Sequence, residues 1–361
     1  MSITRAVPSS PSTAVRPAPP STVMPTRPAG AGGTAPHDGD VAAPPRPRRL
    51  LRGAVVAFLA LLRGALADAA PRHGYQRAMY ATAVVLLGSG IVHVGVWAVD
   101  GGAWEGAVSW RKPILFGVSF GMFLLSAGWV QGVLARSPRW GWTTTALTAG
   151  GGAAEVALIT AQRWRGVASH FNVLTPVDGV IFGLMGVTIV VFGVGVAALA
   201  LWAALRLRRP APTVIGVLVG LGLVLVGSAI GGDLLGRGLA YVEANEAVPS
   251  AVVIGLAGSG KLAHAVALHG IQVLGVLALL LGRSGLGPAT RTRTMVVCAA
   301  GYTVLAGLVI GQAYAGRSML ELAGPMVFGL ALATFAVLAP FAVVVGDAVR
   351  GERVGAGATG G

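Results

Sequence analysis

Four ionisable side chains lie within or at the ends of apolar runs that are long enough to cross a bilayer: His93, Glu155, His264 and His269. An unpartnered polar group is costly in a membrane interior, so such residues predict a functional site. Glu155 lies about two turns inside its run. A carboxylate at that depth must be protonated, paired or hydrated. We therefore expect it to be the catalytic or proton-transferring residue.

Histidine is well suited to bind iron or copper at neutral pH, so the sequence is compatible with a haem or transition-metal cofactor. His264 and His269 are five positions apart, about 140° around a straight helix, and cannot both bind one ion. A metal would take ligands from different helices, for example His93 and His269, with a carboxylate completing the set. A lone histidine in a bundle equally often bonds a neighbouring carbonyl group. The candidate metal ligands are His93, His170, His264 and His269.

The polar residues also suggest an alternative, a binding site for a small solute. Glu155 and Gln162 are seven positions apart, and His269 and Gln272 are three apart, so each pair shares a helix face. The topology argued below places all candidates on one side of the membrane, as a cavity open to the outside would require. The candidate ligand-binding residues are Lys112, Gln162, Asp178, Asp233, Gln272 and Gln312.

The composition is that of an integral membrane protein. Of the 361 residues 54% are hydrophobic and 11% are charged, and the mean hydropathy is +0.74, which excludes a water-soluble globular domain. The net charge of +14 comes from arginines in the N-terminal tail and between apolar runs, so it indicates membrane topology and no nucleic-acid partner. The single cysteine, Cys298, excludes an internal disulfide and a cysteine metal cluster.

The fold predicted is all-α with eight transmembrane helices, because eight apolar runs reach the length that a bilayer requires. Residues 1–50 are rich in proline and predict a disordered cytoplasmic tail. Residues 51–72 favour an interfacial amphipathic helix, with a cleaved signal peptide and an extra span as alternatives. Residues 351–361 form a C-terminal cytoplasmic tail. The eight runs are 77–99, 113–135, 142–162, 177–205, 213–235, 262–282, 294–314 and 322–347.

The basic residues predict the orientation of a multi-pass protein in the cell membrane. With the N-terminus in the cytoplasm, 17 Lys and Arg from Arg46 onward lie on the cytoplasmic side and seven on the other. The positive-inside rule then places both termini in the cytoplasm. Glycines at four-residue spacing, Gly117 with Gly121 and Gly216 with Gly220, favour close packing between helices.

Three weak similarities in the same order predict an internal duplication. Residues 88–91 (Gly-Ser-Gly-Ile) match 227–230 (Gly-Ser-Ala-Ile), and Gln162 and Gln312 end the third and seventh spans. Pro176 and Pro325 follow these glutamines by 14 and 13 residues. We expect two tandem four-helix halves, 73–210 and 211–350, which share one orientation because four is an even number.

Three strings carry a resemblance to uncharacterised polytopic membrane proteins of actinobacterial type, a group that implies no known activity. They are Ser-Trp-Arg-Lys-Pro-Ile-Leu-Phe-Gly (109–117), Arg-Gly-Val-Ala-Ser-His-Phe-Asn (165–172, followed by Thr-Pro-Val-Asp) and His-Ala-Val-Ala-Leu-His-Gly-Ile-Gln (264–272). The architecture is also similar to haem A synthase, whose eight spans in two halves carry haem-ligating histidines near the outer surface. The chain departs from that pattern because Asp233 lies near the position that corresponds to His93, and the last span has no histidine.

Three hypotheses therefore stay open at the level of the sequence. The first is a redox protein that binds haem or a metal. The second is a carrier or receptor for a small solute, coupled to protons through Glu155. The third is a non-enzymatic membrane scaffold whose tail recruits a cytoplasmic partner. All three share a lipid bilayer as their environment.

Overall fold

The structure is a computed structural model that describes the backbone of residues 47–358 and the side chains of residues 55–351. Most of the predicted tail, residues 1–50, lies outside the described residues. Within them the chain is helical, apart from loops and one isolated β-bridge between Ile254 and Gly258. The α-helices are α1 (Pro47–Asp68), α2 (Gly74–Asp100), α3 (Arg111–Val133), α4 (Pro138–Thr145), α5 (Gly151–Trp164), α6 (Pro176–Arg206), α7 (Ala211–Asn245), α8 (Gly260–Leu268), α9 (Gly270–Arg283), α10 (Pro288–Tyr314) and α11 (Gly324–Ala358).

Seven helical stretches are long and apolar enough to cross a membrane, which confirms the all-α membrane class. They coincide with seven of the eight predicted spans: α2, α3, α6, α7, α8 with α9, α10 and α11 to Gly351. The remaining predicted span, 142–162, is found as three consecutive pieces, because the π-helical segment Ala146–Gly150 separates α4 from α5. Three successive glycines, Gly150 to Gly152, lie at this junction, where they weaken regular α-helix.

Two boundaries differ from the sequence predictions. The sixth predicted span is not one straight helix, since α8 ends at Leu268 and the backbone of His269 turns to φ −80° and ψ −1° before α9 begins. The last helix is longer than expected: α11 continues to Ala358, into the predicted tail 351–361. The helix therefore continues for eleven residues beyond the end of the apolar run at residue 347.

Residues 51–72, predicted as an interfacial helix, are largely covered by α1. This helix is not among the seven stretches that meet the criteria for a span. It packs against α9 and α11. At its end Asp68 accepts two hydrogen bonds of 2.6 Å from Arg283, the last residue of α9. The bidentate pair fixes α1 to the end of the bundle.

Close packing at the predicted glycine pairs is confirmed. A Cβ atom on Gly117 would lie 2.9 Å from the Leu86 carbonyl oxygen of α2, and one on Gly220 would lie 2.8 Å from the Ile271 Cα atom of α9. Small residues let helix backbones approach where lipid gives no hydrophobic driving force for association. One apolar core runs through both predicted halves and includes Leu124, Trp129, Leu199, Trp202, Leu221 and Leu274.

The bundle has two ends, which we name by residues. The "His170 end" contains the end of α2, the starts of α3 and α8, and the loop from α5 to α6 that carries His170. The "Asp68 end" contains the end of α1, the end of α9 and the loop from α6 to α7. Phe171 ties α7 to the loop at the His170 end, since a Cβ atom on Gly238 would meet its ring at 2.2 Å.

Candidate functional site

His93 is buried near the end of α2, and both of its ring nitrogens are engaged. Nδ1 lies 2.7 Å from the Ser89 carbonyl oxygen, and a carbonyl oxygen only accepts, so Nδ1 carries the hydrogen. Nε2 then accepts the indole N–H of Trp164 at 3.1 Å. Neither nitrogen retains a free lone pair, so His93 in this arrangement does not fit a metal or haem ligand.

Trp110 organises the protein around His93. Its ring lies edge-on to Trp164, with 5.1 Å between ring centroids, and the Arg163 guanidinium carbon lies 3.8 Å from its centroid. The Trp110 indole donates to Asp100 at 2.5 Å, and Arg163 reaches the same carboxylate at 3.3 Å. These contacts join the ends of α2 and α5 to the start of α3. They stabilise the His170 end by aromatic and cation–π packing.

The predicted ligand-binding residues Gln162 and Asp178 bond to each other. Gln162 Nε2 donates to the Asp178 carboxylate at 3.1 Å, and Arg165 forms a 2.8 Å salt bridge with it. Thr175, the N-cap of α6, donates to the second carboxylate oxygen at 2.7 Å. Asp178 is buried, and its acceptor sites are filled by these protein groups. The network closes the loop from α5 to α6.

Gln312 closes the loop from α10 to α11 in a similar way. Its amide donates to the carbonyl oxygens of Ser318 and Glu321 at 2.9 and 3.2 Å. Gln162 likewise donates to the Ala168 carbonyl at 3.5 Å. Both predicted glutamines thus bond to the backbone six residues further on.

Asp233 lies at the surface of α7 at the His170 end. It pairs with Arg237 one turn later at 2.8 Å and accepts a 3.0 Å hydrogen bond from the Tyr314 hydroxyl group of α10. Arg237 and Asp233 are both more than a third exposed, so solvent screens the pair. The residue links α7 to α10 and is not brought together with Glu155.

Glu155 is the most deeply placed ionisable residue of the predicted site. Its side chain on α5 is 3% exposed, and Oε2 lies 2.6 Å from the Thr188 hydroxyl oxygen of α6. Thr188 also lies 3.0 Å from the Met185 carbonyl oxygen. None of the salt bridges within the described residues involves Glu155. A buried carboxyl group in this position can hold and release a proton.

Lys112 belongs to a group of cations at the His170 end. Its ammonium group donates to the Ala107 carbonyl at 2.8 Å and lies within range of the charges of Arg111 and Lys261. Arg111 is paired with Glu105. His170 lies beside this group. Burial, together with the charges of Lys112 and Lys261, lowers the pKa of His170 to about 3, so its ring is neutral at pH 7.

The two histidines of the sixth predicted span have separate environments. His264 Nδ1 lies 2.7 Å from the Gly227 carbonyl oxygen of α7, so the ring serves as a donor between the helices. His269 occupies the junction of α8 and α9 and is half-buried. The Gln272 amide is placed to donate to the Leu268 and His269 carbonyl oxygens at 3.1 and 3.2 Å. Gln272 therefore stabilises the break in the helix.

The predicted metal ligands are not brought together. Among the residues that the structure describes, no three His, Cys, Asp or Glu side chains are grouped so that they could hold a metal ion. His93 bonds within α2 and to Trp164, whereas His264 bonds to α7. Helix rotation places the four histidines in different surroundings, which the length of an apolar run does not fix.

Two cavities lie at the Asp68 end, opposite the predicted cavity. One of about 500 Å³ is lined by α1 and by residues that include Arg283, Asp347 and Arg350. The other, of about 290 Å³, is lined by residues that include Trp129 and Arg209. At the His170 end Gln162 bonds to Asp178, and His93, Lys112, Asp233 and Gln312 bond to other protein groups.

Sequence reasoning missed two residues that the structure brings to notice. Thr188 is the partner of Glu155, and the only signal for it was a hydroxyl residue inside an apolar run. Ser109 is 2% exposed, and its hydroxyl group has no hydrogen-bond partner within the described structure. Its position before the Arg-Lys pair of α3 was visible in the sequence.

Comparison of the chain with protein-family models, curated proteins and solved structures gives no match.

Proposed function

We propose that the protein is a membrane carrier for a small solute and that Glu155 binds the proton to which solute movement is coupled. The observation that carries this proposal is the isolated Glu155–Thr188 hydrogen bond between α5 and α6. Glu155 is buried and has no cationic partner within the described residues. Ionisable residues with these properties mark proton and substrate pathways in membrane proteins.

The depth of Glu155 supports this role. At 1.5 Å per residue, Glu155 lies about 12 Å along the helix axis from Arg163, and Thr188 about 15 Å from Asp178. The other ionisable residues of the helices packed against α5 are near helix ends: Asp178 and Arg206 on α6, Arg111 and Lys112 on α3, Arg139 on α4, and Tyr75, Arg77, Tyr80, His93 and Asp100 on α2. Glu155 therefore lies in low-dielectric surroundings without a cationic partner among the described residues, and binding a proton neutralises its charge in place of such a partner.

Counting hydrogens supports a protonated Glu155. The Thr188 hydroxyl group has one hydrogen but lies within bonding distance of two acceptors, Glu155 Oε2 and the Met185 carbonyl oxygen. If Glu155 is protonated, it donates to Thr188, and Thr188 donates to Met185. If Glu155 is ionised, Thr188 donates to it and loses its bond to Met185. Proton release thus changes the contact between α5 and α6.

The π-helical segment supplies a place where α5 can move. Residues Ala146–Gly150 end one turn before Glu155. π-Helical segments are frequent at functional sites, and conversion to α-helix would rotate the residues that follow. A shift of α5 would carry Glu155 away from Thr188. Proton binding and helix rearrangement are in this way linked at one contact.

The architecture proposed for the carrier has eight spans, with residues 138–164 as the third despite the π-helical segment. Gln162 and Gln312 are 150 positions apart, as are Pro138 and Pro288, which begin α4 and α10. This offset is constant along the third and seventh predicted spans, and the flanking matches, 88–91 with 227–230 and Pro176 with Pro325, lie 139 and 149 positions apart in the same order, which supports a four-plus-four tandem repeat. The arginines at the Asp68 end support a cytoplasmic location for that end and for both termini in the cell membrane.

The cavities at the Asp68 end favour the carrier over a receptor. In the proposed orientation they lie on the cytoplasmic side, while ion pairs and aromatic contacts join the helices at the outer, His170 end. A carrier must pass between conformations that open to opposite sides. The described arrangement fits the inward-facing one.

Infrared difference spectroscopy of the protein in lipid nanodiscs tests the protonation of Glu155. We expect the spectrum at pH 7 to contain a protonated carboxylic-acid band that Glu155→Gln removes and Thr188→Val shifts. Glu105→Gln is the control, because Glu105 is exposed and pairs with Arg111. If Glu155→Gln removes only the band of an ionised carboxylate, Glu155 does not carry the proton.

Proteoliposomes with an internal pH-sensitive dye test the transport. A panel of amino acids, sugars, carboxylates and inorganic anions is added outside, and lumenal pH is followed. At least one compound should drive proton movement in the wild type and in Glu105→Gln but not in Glu155→Gln. Equal proton movement in Glu155→Gln would overturn the coupling role, and none with any compound in the wild type would overturn the carrier.

A further inference from the structure

The starts of α3 and α8 are equivalent positions in the chain. Ser109 lies two residues before α3, and Ser259 lies 150 positions later as the N-cap of α8. This offset is the one that relates Gln162 to Gln312. Arg111 and Lys261 are likewise 150 positions apart. The two helices start with basic residues at the same end of the bundle.

The two serines differ in one respect. Ser259 Oγ accepts the backbone N–H of Leu262 at 3.3 Å and so caps α8. The carbonyl oxygens of both serines accept the corresponding backbone N–H, that of Leu262 at 3.1 Å and that of Lys112 at 3.3 Å, but the Ser109 hydroxyl group has no hydrogen-bond partner within the described residues. This hydroxyl is buried, with 2% of the residue exposed. A buried, unpaired donor next to a helix N-terminus is available for a ligand.

The charges around Ser109 do not balance. Three cations, Arg111, Lys112 and Lys261, lie within range of one another, and the carboxylate among them belongs to Glu105, which pairs with Arg111. Lys112 uses one of its three hydrogens for the Ala107 carbonyl. Lys261 forms no side-chain hydrogen bond or salt bridge with the part of the chain that the structure describes. Among the residues whose side chains are described, two positive charges therefore lack a counter-charge.

The histidine beside the cations does not supply that counter-charge. His170 packs on Phe116, one turn after Lys112 in α3, with 5.4 Å between ring centroids. Its Nδ1 atom bonds to Ser169 Oγ at 2.9 Å. A neutral ring here adds no charge to the group. The positive ends of the α3 and α8 helix dipoles add to the same field.

We propose that Ser109, Lys112 and Lys261 bind a small anion, a carboxylate or phosphate group, between the starts of α3 and α8. The serine hydroxyl and the two ammonium groups donate, and the anion supplies the charge that the protein lacks. As the substrate class of the carrier this inference rests on the proposed function, whereas as a binding site it stands without it. A dissolved anion and the phosphate of a lipid headgroup share this chemistry.

Equilibrium binding in nanodiscs of zwitterionic lipid tests the site without any need for transport. Inorganic phosphate and succinate are titrated into the full-length protein, with the fluorescence of its tryptophans as the signal, since Trp110 adjoins Ser109. We expect saturable binding of at least one anion. Lys112→Gln and Lys261→Gln should each weaken binding roughly tenfold or more, and Ser109→Ala severalfold.

Two matched variants control the experiment. Ser259→Ala changes the equivalent serine, whose hydroxyl is already partnered, and Arg237→Gln removes one positive charge at the same end, where Asp233 neutralises it. Both should bind the anion as the wild type does. Two outcomes would overturn the proposal. In the first, neither anion binds saturably and no lipid is retained. In the second, Arg237→Gln weakens binding as much as Lys261→Gln does.

Native mass spectrometry separates the two sources of the anion. If a phospholipid copurifies with the wild type and is lost from both lysine variants, the site holds a lipid phosphate. If no lipid depends on the lysines and dissolved anions bind, the site serves a solute. Anion binding without proton-coupled transport would contradict the carrier alone, and proton-coupled transport of a neutral solute without anion binding would contradict this inference alone.

Discussion

Gly151 on α5 lies so close to Thr188 on α6 that a Cβ atom added at Gly151 would meet the Thr188 carbonyl oxygen at 2.9 Å. The same atom would lie 3.0 Å from the Phe192 backbone nitrogen. Both neighbours are backbone atoms, which cannot turn aside as a flexible side chain can. The Glu155–Thr188 hydrogen bond depends on this close approach of the two helices.

Gly151→Ala should therefore destabilise the protein by about 1–3 kcal/mol, because overpacking separates α5 from α6. Gly193→Ala is the matched control on α6, where an added Cβ atom meets nothing within 4 Å. There the change should be neutral or stabilise by up to about 1 kcal/mol, since alanine favours helix over glycine. Unfolding in detergent measures both, and equal stability of the two variants would contradict the close contact.

Gln162→Ala should loosen the loop from α5 to α6 without affecting the loop from α10 to α11. Each glutamine donates two hydrogen bonds, and a loss of about 1 kcal/mol for even one of them corresponds to roughly fivefold more frequent local opening. Gln312→Ala should have the reciprocal effect. Hydrogen exchange read by mass spectrometry over residues 166–175 and 316–323 measures both loops. Gln272→Ala should change neither loop, and an effect of Gln162→Ala on both would contradict independent closure.

Asp178→Asn should lower the melting temperature more than Asp233→Asn. The Asp178 carboxylate accepts from Thr175, Gln162 and Arg165, and an amide replaces an acceptor oxygen by a donor that faces other donors. Asp233 is part of a solvent-screened pair and should be nearly neutral when changed. Thermal unfolding ranks the two variants, and the reverse order would show that the buried network contributes little.

The contact between α1 and α9 should weaken in acid. Hydrogen bonding to Arg283 lowers the pKa of Asp68 below its ordinary value of 3.8. A lowered carboxyl pKa stabilises the docked helix above pH 3.8, and this contribution disappears as the pH falls through the lower, docked value. Salt should weaken the contact at neutral pH, because both side chains are 43% exposed.

Spin labels on α1 and α11 measure this docking. Leu66→Cys and Val343→Cys, both exposed positions, carry the labels in a Cys298→Ala background. The distance distribution should broaden at acidic pH in the labelled protein. With Asp68→Asn added it should be broad at every pH, and an acid-induced change that persists in this variant would assign the transition to another group.

The local sequence was sufficient to predict seven long apolar helices. Seven of the eight predicted spans are single apolar helical stretches, since the length of an apolar run is a property of consecutive residues. The π-helical segment at Ala146–Gly150 and the break at His269 were not predicted. Both depend on how a helix meets its neighbours, although the three glycines beside the first were a visible signal.

For the candidate site, too, the local features were predicted and those that depend on helix packing were not. The depth of Glu155 inside its apolar run followed from position along the chain, and its side chain is buried. The predicted grouping of the histidines depended on helix rotation and was not found within the described residues. The spacing of the histidines along the sequence fixes the angle between two of them on one helix. It does not fix how one helix is rotated relative to another.

The sequence by itself determined that this is an all-α membrane protein with costly ionisable groups inside its apolar runs. The length of an apolar run and the free-energy cost of an unpaired charge within it are local properties. The order of residues along the chain is therefore enough to predict both. Only the tertiary structure decided that Glu155 meets Thr188, that His93 meets Trp164, and that the Ser109 hydroxyl group has no partner within the described residues. Those outcomes depend on the rotation and separation of helices distant in sequence, which packing of the whole bundle sets.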